Sequence, residues 1–367
     1  MLKKLAPALA AAFLAWIAST YIHYPTLPDS LYSDAVSFWD RRELAAGLRP
    51  CIDFFFEYPP AACFITYMSR VLGGASREGY YMVFALMSLP AFLTIGWYMG
   101  RVAGLPATAL TLAPTMILYG VYNYDQFLAM LMVMALALYN KGRKGVSYVL
   151  LGVGASVKLL TILLLPALLM DRFRWRYILF FFVGTLPAIL PVIALNPGYI
   201  SSFINYHASW GLENAWTVWL APNPFSPSAK ILGWLVAFTL IGRSLILRRY
   251  VSVEERCFLI LSGFLLGSST FTPQMVVMLL PLLASIPSVW PIIPLLEASN
   301  AGIILTWFWV ENPTNPWTLP QTMALLRAAG LATAWAVVYR GWSLLKPLQQ
   351  GLYTLSLRRG LRLRSSR

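Results

Sequence analysis

Residues 177–195 (YILFFFVGTLPAILPVIAL) decide the fold, because they carry no charged side chain over a length that matches the thickness of a bilayer. A helix needs about 20 apolar residues to cross the hydrocarbon core. Similar runs recur through the chain, which is 59% hydrophobic and 11% charged and has a mean hydropathy of +0.65. The sequence therefore predicts an all-α polytopic membrane protein.

The spacing of these runs predicts about twelve transmembrane helices in a single transmembrane domain that fills the chain. The predicted crossings are residues 5–22, 80–100, 105–122, 125–140, 145–156, 159–170, 177–195, 231–247, 256–272, 274–290, 291–309 and 322–341. Residues 61–72 are apolar but too short to span, so we expect them to form a helix along the outer membrane surface. The long outer loops are then 23–79 and 196–230.

Basic residues set the predicted orientation, because cytoplasmic loops carry the excess of Lys and Arg. The basic clusters are Lys3/Lys4, Lys141/Arg143/Lys144, Arg172/Arg174/Arg176, Arg248/Arg249 and a tail with Arg358, Arg359, Arg362, Arg364 and Arg367. An even number of crossings places both termini in the cytoplasm. Without a soluble basic domain, the net charge of +14 indicates anionic lipid neighbours rather than nucleic acid.

Acidic residues concentrate in the first outer loop, which holds Asp29, Asp34, Asp40, Glu43, Asp53 and Glu57 of the 14 acids in the chain. Asp34 lies soon after the first helix, where a carboxylate can act as a general base on a hydroxyl, and a helix N-cap is the alternative. Glu57 precedes Tyr58-Pro59-Pro60. A turn with a helix cap is the alternative to a functional role for this acid. Asp125 starts a predicted helix on the outer face. A helix cap is again the alternative to a functional role.

Lys158 lies between two half-length apolar segments, 145–156 and 159–170. Two half-helices that meet at a lysine predict a broken hairpin, which a membrane tolerates only where the backbone lines a cavity or packs on protein. Intramembrane charges usually face a cavity and mark function, so we expect Lys158 to hold a phosphate. The alternative is a lysine whose ammonium group extends to the interface.

Further polar residues fall in the later outer segments. His207 could donate to a phosphate or a sugar hydroxyl, or be solvated in its loop, and with His23 as the only other histidine a multi-histidine zinc site is excluded. Gln274 offers an amide at a helix junction after Pro273. Glu297 is an intramembrane acid without an assigned role. Cys51, Cys63 and Cys257 lack metal-type spacing, and buried thiols at Cys51 and Cys63 are favoured over a disulfide between them.

In their order along the chain, these residues resemble the C-type superfamily of integral membrane glycosyltransferases, in particular its branch that uses polyprenyl-phosphate or dolichyl-phosphate sugars. The features that carry the resemblance are Asp34, Glu57-Tyr58-Pro59-Pro60, Asn123-Tyr124-Asp125-Gln126, Gly154 to Lys158, Tyr206-His207 to Glu213, and Phe271-Thr272-Pro273-Gln274 before Leu279-Leu280-Pro281. The resemblance spans nearly the whole chain. It implies a catalytic module in residues 1–176 and a variable helical module in residues 177–367.

The resemblance also implies roles for single residues. Asp34 would deprotonate the acceptor hydroxyl, and Lys158 with His207 would bind the donor phosphate. Contacts to the acceptor or sugar would come from Glu57, Tyr58, Asp125, Gln126 and Gln274. The implied reaction transfers a hexose, with mannose as the candidate, to a glycan or lipid acceptor with inversion. It would occur at the outer or lumenal face of a plasma or endoplasmic reticulum membrane.

Two other functions fit the same sequence features less well. A secondary transporter or lipid flippase would use the broken helix and the cation for an anionic substrate, but the halves show no internal similarity. A membrane scaffold would leave Lys158 unexplained. The resemblance implies no bound metal, with a divalent cation shared by Asp34, Glu57 and the phosphate as the alternative.

Overall fold

The computed structural model describes residues 2–40, 42–171, 173–221, 223–247 and 251–342, and in these ranges it contains helices and loops but no strand. The helices are α1 (Leu2–Ile22), α2 (Asp34–Asp40), α3 (Arg42–Ala45), α4 (Pro60–Gly73), α5 (Arg77–Ala103), α6 (Pro106–Thr111), α7 (Pro114–Tyr119), α8 (Asp125–Asn140), α9 (Lys144–Val157), α10 (Leu164–Asp171), α11 (Trp175–Leu195), α12 (Tyr199–Ser209), α13 (Pro227–Leu245), α14 (Val253–Gly267), α15 (Val276–Ala284), α16 (Ile293–Trp307) and α17 (Leu319–Arg340). Short 3₁₀ turns lie at Leu159–Leu163, Trp216–Leu220, Pro273–Met275 and Pro287–Ile292.

The predicted all-α polytopic membrane fold is confirmed. In the described ranges, six helical segments are long and apolar enough to cross a bilayer: Leu5–Ile22, Arg77–Ala103, Trp175–Leu195, Pro227–Leu245, Pro287–Trp307 and Leu319–Arg340. Shorter apolar helices are Asp125–Asn140, Lys144–Val157, Leu159–Met170 and Pro273–Ala284. The basic residues Arg172, Arg248 and Arg249 and the arginines of the C-terminal tail lie outside the described residues.

Several predicted crossings are interrupted rather than continuous. The segment predicted as 105–122 forms two short helices, because Pro114 lacks an N–H group and holds Ala113 in an extended conformation between α6 and α7. The segment predicted as 256–272 stops being helical after Gly267, and residues 268–272 continue without helix. Ser268, Ser269, Thr270 and Thr272, which follow the end of α14, line a cavity.

Close helix packing occurs where glycines face a neighbouring backbone. A Cβ atom on Gly152 of α9 would overlap the carbonyl oxygen of Phe181 in α11. A Cβ atom on Gly184 of α11 would likewise overlap the carbonyl oxygen of Val149 in α9. Small residues let helix backbones approach closely in a membrane, so these two glycines set the spacing of the α9–α11 pair.

The segment between α1 and α5 is cross-linked. Cys51 and Cys63 form a disulfide with their Cα atoms 6.0 Å apart, so the favoured prediction of two buried thiols was wrong. The reason is a turn at Cys51, whose φ of 67° folds the chain back toward the first turn of α4. Cys257 is a free, buried thiol.

Candidate functional site

A cavity of about 1040 Å³ lies between the segment that joins α1 to α5 and the interrupted helices. Both halves of the chain contribute to its wall. Of the site residues predicted from the sequence, those that line it are Asp34, Glu57, Tyr58, Lys158, His207 and Gln274. Asp125 and Gln126 are fully buried and do not line the cavity. The structure therefore brings the predicted base, the predicted phosphate-binding lysine and the loop histidine to one space.

The backbone around Asp34 is fixed to the loop before α8. Ala35 donates its N–H to the carbonyl oxygen of Tyr122 at 2.9 Å, and the hydroxyl of Ser33 donates to the same oxygen at 3.2 Å. The Ser33 hydroxyl also accepts from the N–H of Val36 at 3.4 Å, as a helix cap does. Ser33 therefore takes the capping position that the sequence left open for Asp34, and the Asp34 side chain faces the cavity.

Asn123 connects two cavity residues. Its amide nitrogen donates to Asp34 Oδ2 at 2.7 Å and to the hydroxyl oxygen of Tyr58 at 2.5 Å. Its amide oxygen accepts from the N–H of Tyr124 at 2.6 Å, which fixes the direction in which the nitrogen points. From the sequence, Asn123 is recognisable only as part of a motif, without a function of its own. Its position in the loop that opens the helix of Asp125 was the available signal.

The electrostatic surroundings of Asp34 favour a proton acceptor. Burial raises the pKa of Asp34 to about 6, and the nearby negative charge of Glu57 also raises it. A hydrogen bond from Tyr32, the positive charge of Lys158 and the hydrogen bond from Asn123 lower this pKa, but they do not cancel the effect of burial. A carboxylate with a pKa near 6 is ionised at neutral pH and still accepts a proton readily.

Lys158 occupies the predicted break in the hairpin. Helix α9 ends at Val157, and Lys158 is extended, with φ −157° and ψ 133°, before the 3₁₀ turn Leu159–Leu163. Its ammonium nitrogen lies 3.0 and 2.9 Å from the carboxylate oxygens Oδ1 and Oδ2 of Asp125. Because a lysine ammonium group has a further N–H to donate, Lys158 can bind Asp125 and a cavity ligand together.

Asp125 is therefore a partner of the cavity lysine. It is the first residue of α8, and the structure shows no side-chain cap at that helix end. The Asp125 carboxylate is fully buried, whereas 13% of the Lys158 side chain is exposed. Next to it, Gln126 is buried with neither side-chain amide atom hydrogen-bonded to the described residues.

His207 lies on an exposed face of α12 at the cavity rim. Its ring atom Nδ1 is 2.8 Å from the carbonyl oxygen of Phe203, and the ring packs against Phe203 with centroids 4.2 Å apart and against Trp210 with centroids 5.5 Å apart. The carbonyl acceptor orients the ring through Nδ1, which makes Nε2 the atom available to a ligand. Gln274, which is 6% exposed, also lines the cavity and lies in the turn Pro273–Met275.

Two further charged residues were missed or left unassigned from the sequence. Arg327 lies inside a predicted crossing, and its fully buried guanidinium group donates to the side-chain oxygen of Asn300 at 2.8 Å. A lone arginine in an apolar run was the signal. Glu297, which had no assigned role, accepts from the N–H of Thr115 at 2.8 Å and so binds the first turn of α7.

Among the residues that the structure describes, no group of three or more His, Cys, Asp or Glu side chains is placed to hold a metal ion. An all-helical membrane protein whose cavity is lined by a partly buried carboxylate and a lysine is the class that the fold and the site define. Residues 55–266 match the model of Glycosyltransferase family 87, and because this is more than half of the chain, the protein belongs to that family. The predicted membrane glycosyltransferase is thereby confirmed.

Other comparisons add little to the family match. Among solved structures, the chain is similar to ArnT from Cupriavidus metallidurans bound to undecaprenyl phosphate, with 17% sequence identity and a TM-score of 0.49. The alignment covers 90% of this chain and 76% of that chain. A comparison with curated proteins found no match.

Proposed function

We propose that this glycosyltransferase moves a hexose, with mannose as the candidate sugar, from a polyprenyl-phosphate donor to a glycan or lipid acceptor, with inversion at the anomeric carbon. The observation that carries the proposal is the cavity itself, which Asp34 and Lys158 both line in a chain of this family. Both residues come from 1–176, which supports the assignment of the catalytic module to that part of the chain.

The chemistry of one cavity wall supports this proposal for the donor. Beyond Lys158 the lining is apolar, and it consists of Leu159, Leu160, Ile162, Leu163, Phe203 and Ile204. Leu159, Ile162 and Ile204 are exposed, so this surface can accept the isoprenoid chain of a donor. The donor phosphate then reaches Lys158 and Nε2 of His207. A phosphate that meets a positive charge at the end of an apolar surface suits a lipid-linked sugar.

The proposed reaction uses the two charged cavity residues, Asp34 and Lys158. Asp34 accepts the proton of the acceptor hydroxyl, and the hydroxyl oxygen forms a new bond to the anomeric carbon of the donor sugar. The bond between that carbon and the phosphate oxygen breaks on the opposite face, so the configuration inverts. The leaving polyprenyl phosphate keeps the bonding electron pair, and Lys158 stabilises the negative charge that develops there.

We assign supporting roles to Asn123 and Asp125. The hydrogen bond from Asn123 orients the Asp34 carboxylate, and the ion pair with Asp125 orients the Lys158 ammonium group. Asp125 begins α8 and Asn123 lies in the loop just before it, so this helix start holds both the base and the cation in position. This arrangement keeps the reacting groups positioned before either substrate binds.

The outer or lumenal face is proposed as the side of reaction, with both termini in the cytoplasm. The disulfide between Cys51 and Cys63 supports this side, because disulfides persist in oxidising compartments and are rare in the cytosol. The bridge lies in the same loop as Asp34 and Glu57. The basic residues in the loop between α8 and α9 support the opposite, cytoplasmic placement of that end of the bundle.

The test is transfer of labelled mannose from synthetic polyprenyl-phosphate-mannose by the purified protein. Asp34→Asn should abolish transfer because the amide accepts no proton from the acceptor. Asp40→Asn is the matched control, since Asp40 ends the same short helix, pairs with Arg77 at 2.9 Å and does not line the cavity. Undiminished turnover of Asp34→Asn would remove the proposed base.

A further inference from the structure

One wall of the cavity is polar and has no role in the steps described above. It is formed by Glu213, Asn214, Ser268, Ser269, Thr270, Thr272 and Gln274. These residues come from two separate segments, one before α13 and one after α14. The wall contrasts with the apolar lining beyond Lys158, so the cavity has one surface suited to a hydrocarbon chain and another suited to hydroxyl groups.

A short backbone bridge joins the two segments of the polar wall. The N–H of Glu213 donates to the carbonyl oxygen of Ser269 at 2.9 Å, and the N–H of Phe271 donates to the carbonyl oxygen of Glu213 at 3.0 Å. Glu213 and Thr270 therefore lie side by side as an isolated parallel bridge. This pairing fixes the backbone position from which the Glu213 side chain extends.

Arg327 holds this bridge from behind. Its guanidinium group donates to the carbonyl oxygen of Asn214 at 3.1 Å and to that of Phe271, and it packs over the Phe271 ring. Asn214 and Phe271 directly follow the two bridged residues in their segments. A fully buried arginine with these contacts holds both segments together, so Glu213 occupies a rigid position.

The Glu213 carboxylate lacks the hydrogen-bond donors that a buried structural acid normally has. It accepts no hydrogen bond from the residues that the structure describes, although it is partly buried in the cavity wall. A partly desolvated carboxylate without donors is costly unless a ligand supplies them. Burial raises the pKa of Glu213 to about 7, and the negative charge of Asp34 also raises it. The positive charge of Arg327 lowers this pKa but does not cancel the effect of burial.

We propose that Glu213 binds a hydroxyl of the acceptor next to the one that Asp34 deprotonates, so that the acceptor presents a sugar with neighbouring hydroxyls to the cavity. The proposal rests on the function proposed above. Glu213 and Asp34 line the same cavity, and Glu213 belongs to its polar wall rather than to the apolar lining that follows Lys158. A polar wall suits the hydroxyl groups of an acceptor sugar, whereas the apolar lining suits the hydrocarbon chain of the donor, so we assign Glu213 to the acceptor.

The test measures the Michaelis constants of Glu213→Gln and Glu213→Ala for acceptor and donor separately, with a panel of alkyl mannosides, glucosides and galactosides as acceptors. We expect the acceptor KM to rise about tenfold or more, the value of a hydrogen bond to a charged group, while the donor KM changes less than about twofold. Glu311→Gln, in an exposed outer loop and outside the cavity lining, is the matched control and should leave both constants unchanged.

Deoxy acceptors sharpen the assignment. The mannoside that lacks the hydroxyl bound by Glu213 should react equally well with the wild-type protein and with Glu213→Ala, whereas other monodeoxy mannosides should still distinguish the two. An unchanged acceptor KM, or a lower melting temperature as the sole effect of both variants, would overturn the inference and leave the proposed function intact. Failure of the wild-type protein to transfer any sugar overturns both.

Discussion

The ammonium nitrogen of Lys158 lies 2.9 Å from Oδ2 of Asp125, a carboxylate that is fully buried 33 residues earlier in the chain. The pair joins the broken hairpin to the first turn of α8. Asn123, which donates a hydrogen bond to Asp34, lies just before that turn. Lys158 and Asp34 are therefore held by one connected set of contacts. The geometry of the cavity therefore depends on the charge of Asp125, which a ligand in the cavity does not contact.

Removing the lysine should destabilise the protein more than a surface charge would. Lys158→Ala leaves the Asp125 carboxylate buried without its cation, which costs about 3 kcal/mol or more. Adding Asp125→Ala to it should recover part of the loss in melting temperature, measured in detergent. Arg77→Ala, which breaks the exposed pair with Asp40, is the comparison and should change the melting temperature little. Equal melting temperatures for Lys158→Ala and Arg77→Ala would contradict a structural ion pair.

The rate of transfer should fall in acid because the base must be ionised to accept a proton. With the pKa of Asp34 raised to about 6, kcat/KM should decline as the pH drops below about 6. Asn123→Ala removes a hydrogen bond that favours the ionised form, so this pKa should rise and the acid limb should move to higher pH. Asp40→Asn should leave the limb in place. An acid limb that Asn123→Ala does not move would mean that another group is titrating.

The helices and the break at Lys158 could be predicted from the sequence because apolar runs and a lone lysine are local signals. The pairing of Lys158 with Asp125 could not, since their contact depends on how α8 and α9 pack. Arg327 was missed because it lies inside a run that reads as an ordinary crossing. The disulfide was not predicted because the spacing of the two cysteines does not reveal the turn at Cys51 that brings them together.

The disulfide should contribute to stability and should not carry the chemistry. Replacing both Cys51 and Cys63 by Ser removes a constraint on the loop of Glu57, at a cost of about 3 kcal/mol for a loop of this order of length. The melting temperature should fall, and reductant should lower the wild-type value similarly without affecting the variant. Cys257→Ser does not alter the bridge, so its response to reductant should match the wild type. A wild-type melting temperature that is insensitive to full reduction would exclude a stabilising bridge.

The position of Lys158 should also depend on a glycine contact in the membrane. A Cβ atom on Gly184 would overlap the backbone of α9, so Gly184→Ala must push α9 and α11 apart, at a cost of about 1–3 kcal/mol. Gly242→Ala is the matched control, because nothing lies within 4 Å of a Cβ atom at that site in α13. Since α9 ends immediately before Lys158, Gly184→Ala should raise the donor KM as well as lower the melting temperature, whereas Gly242→Ala should do neither. A lower melting temperature with an unchanged donor KM would show that the lysine is held by Asp125 independently of this helix pair.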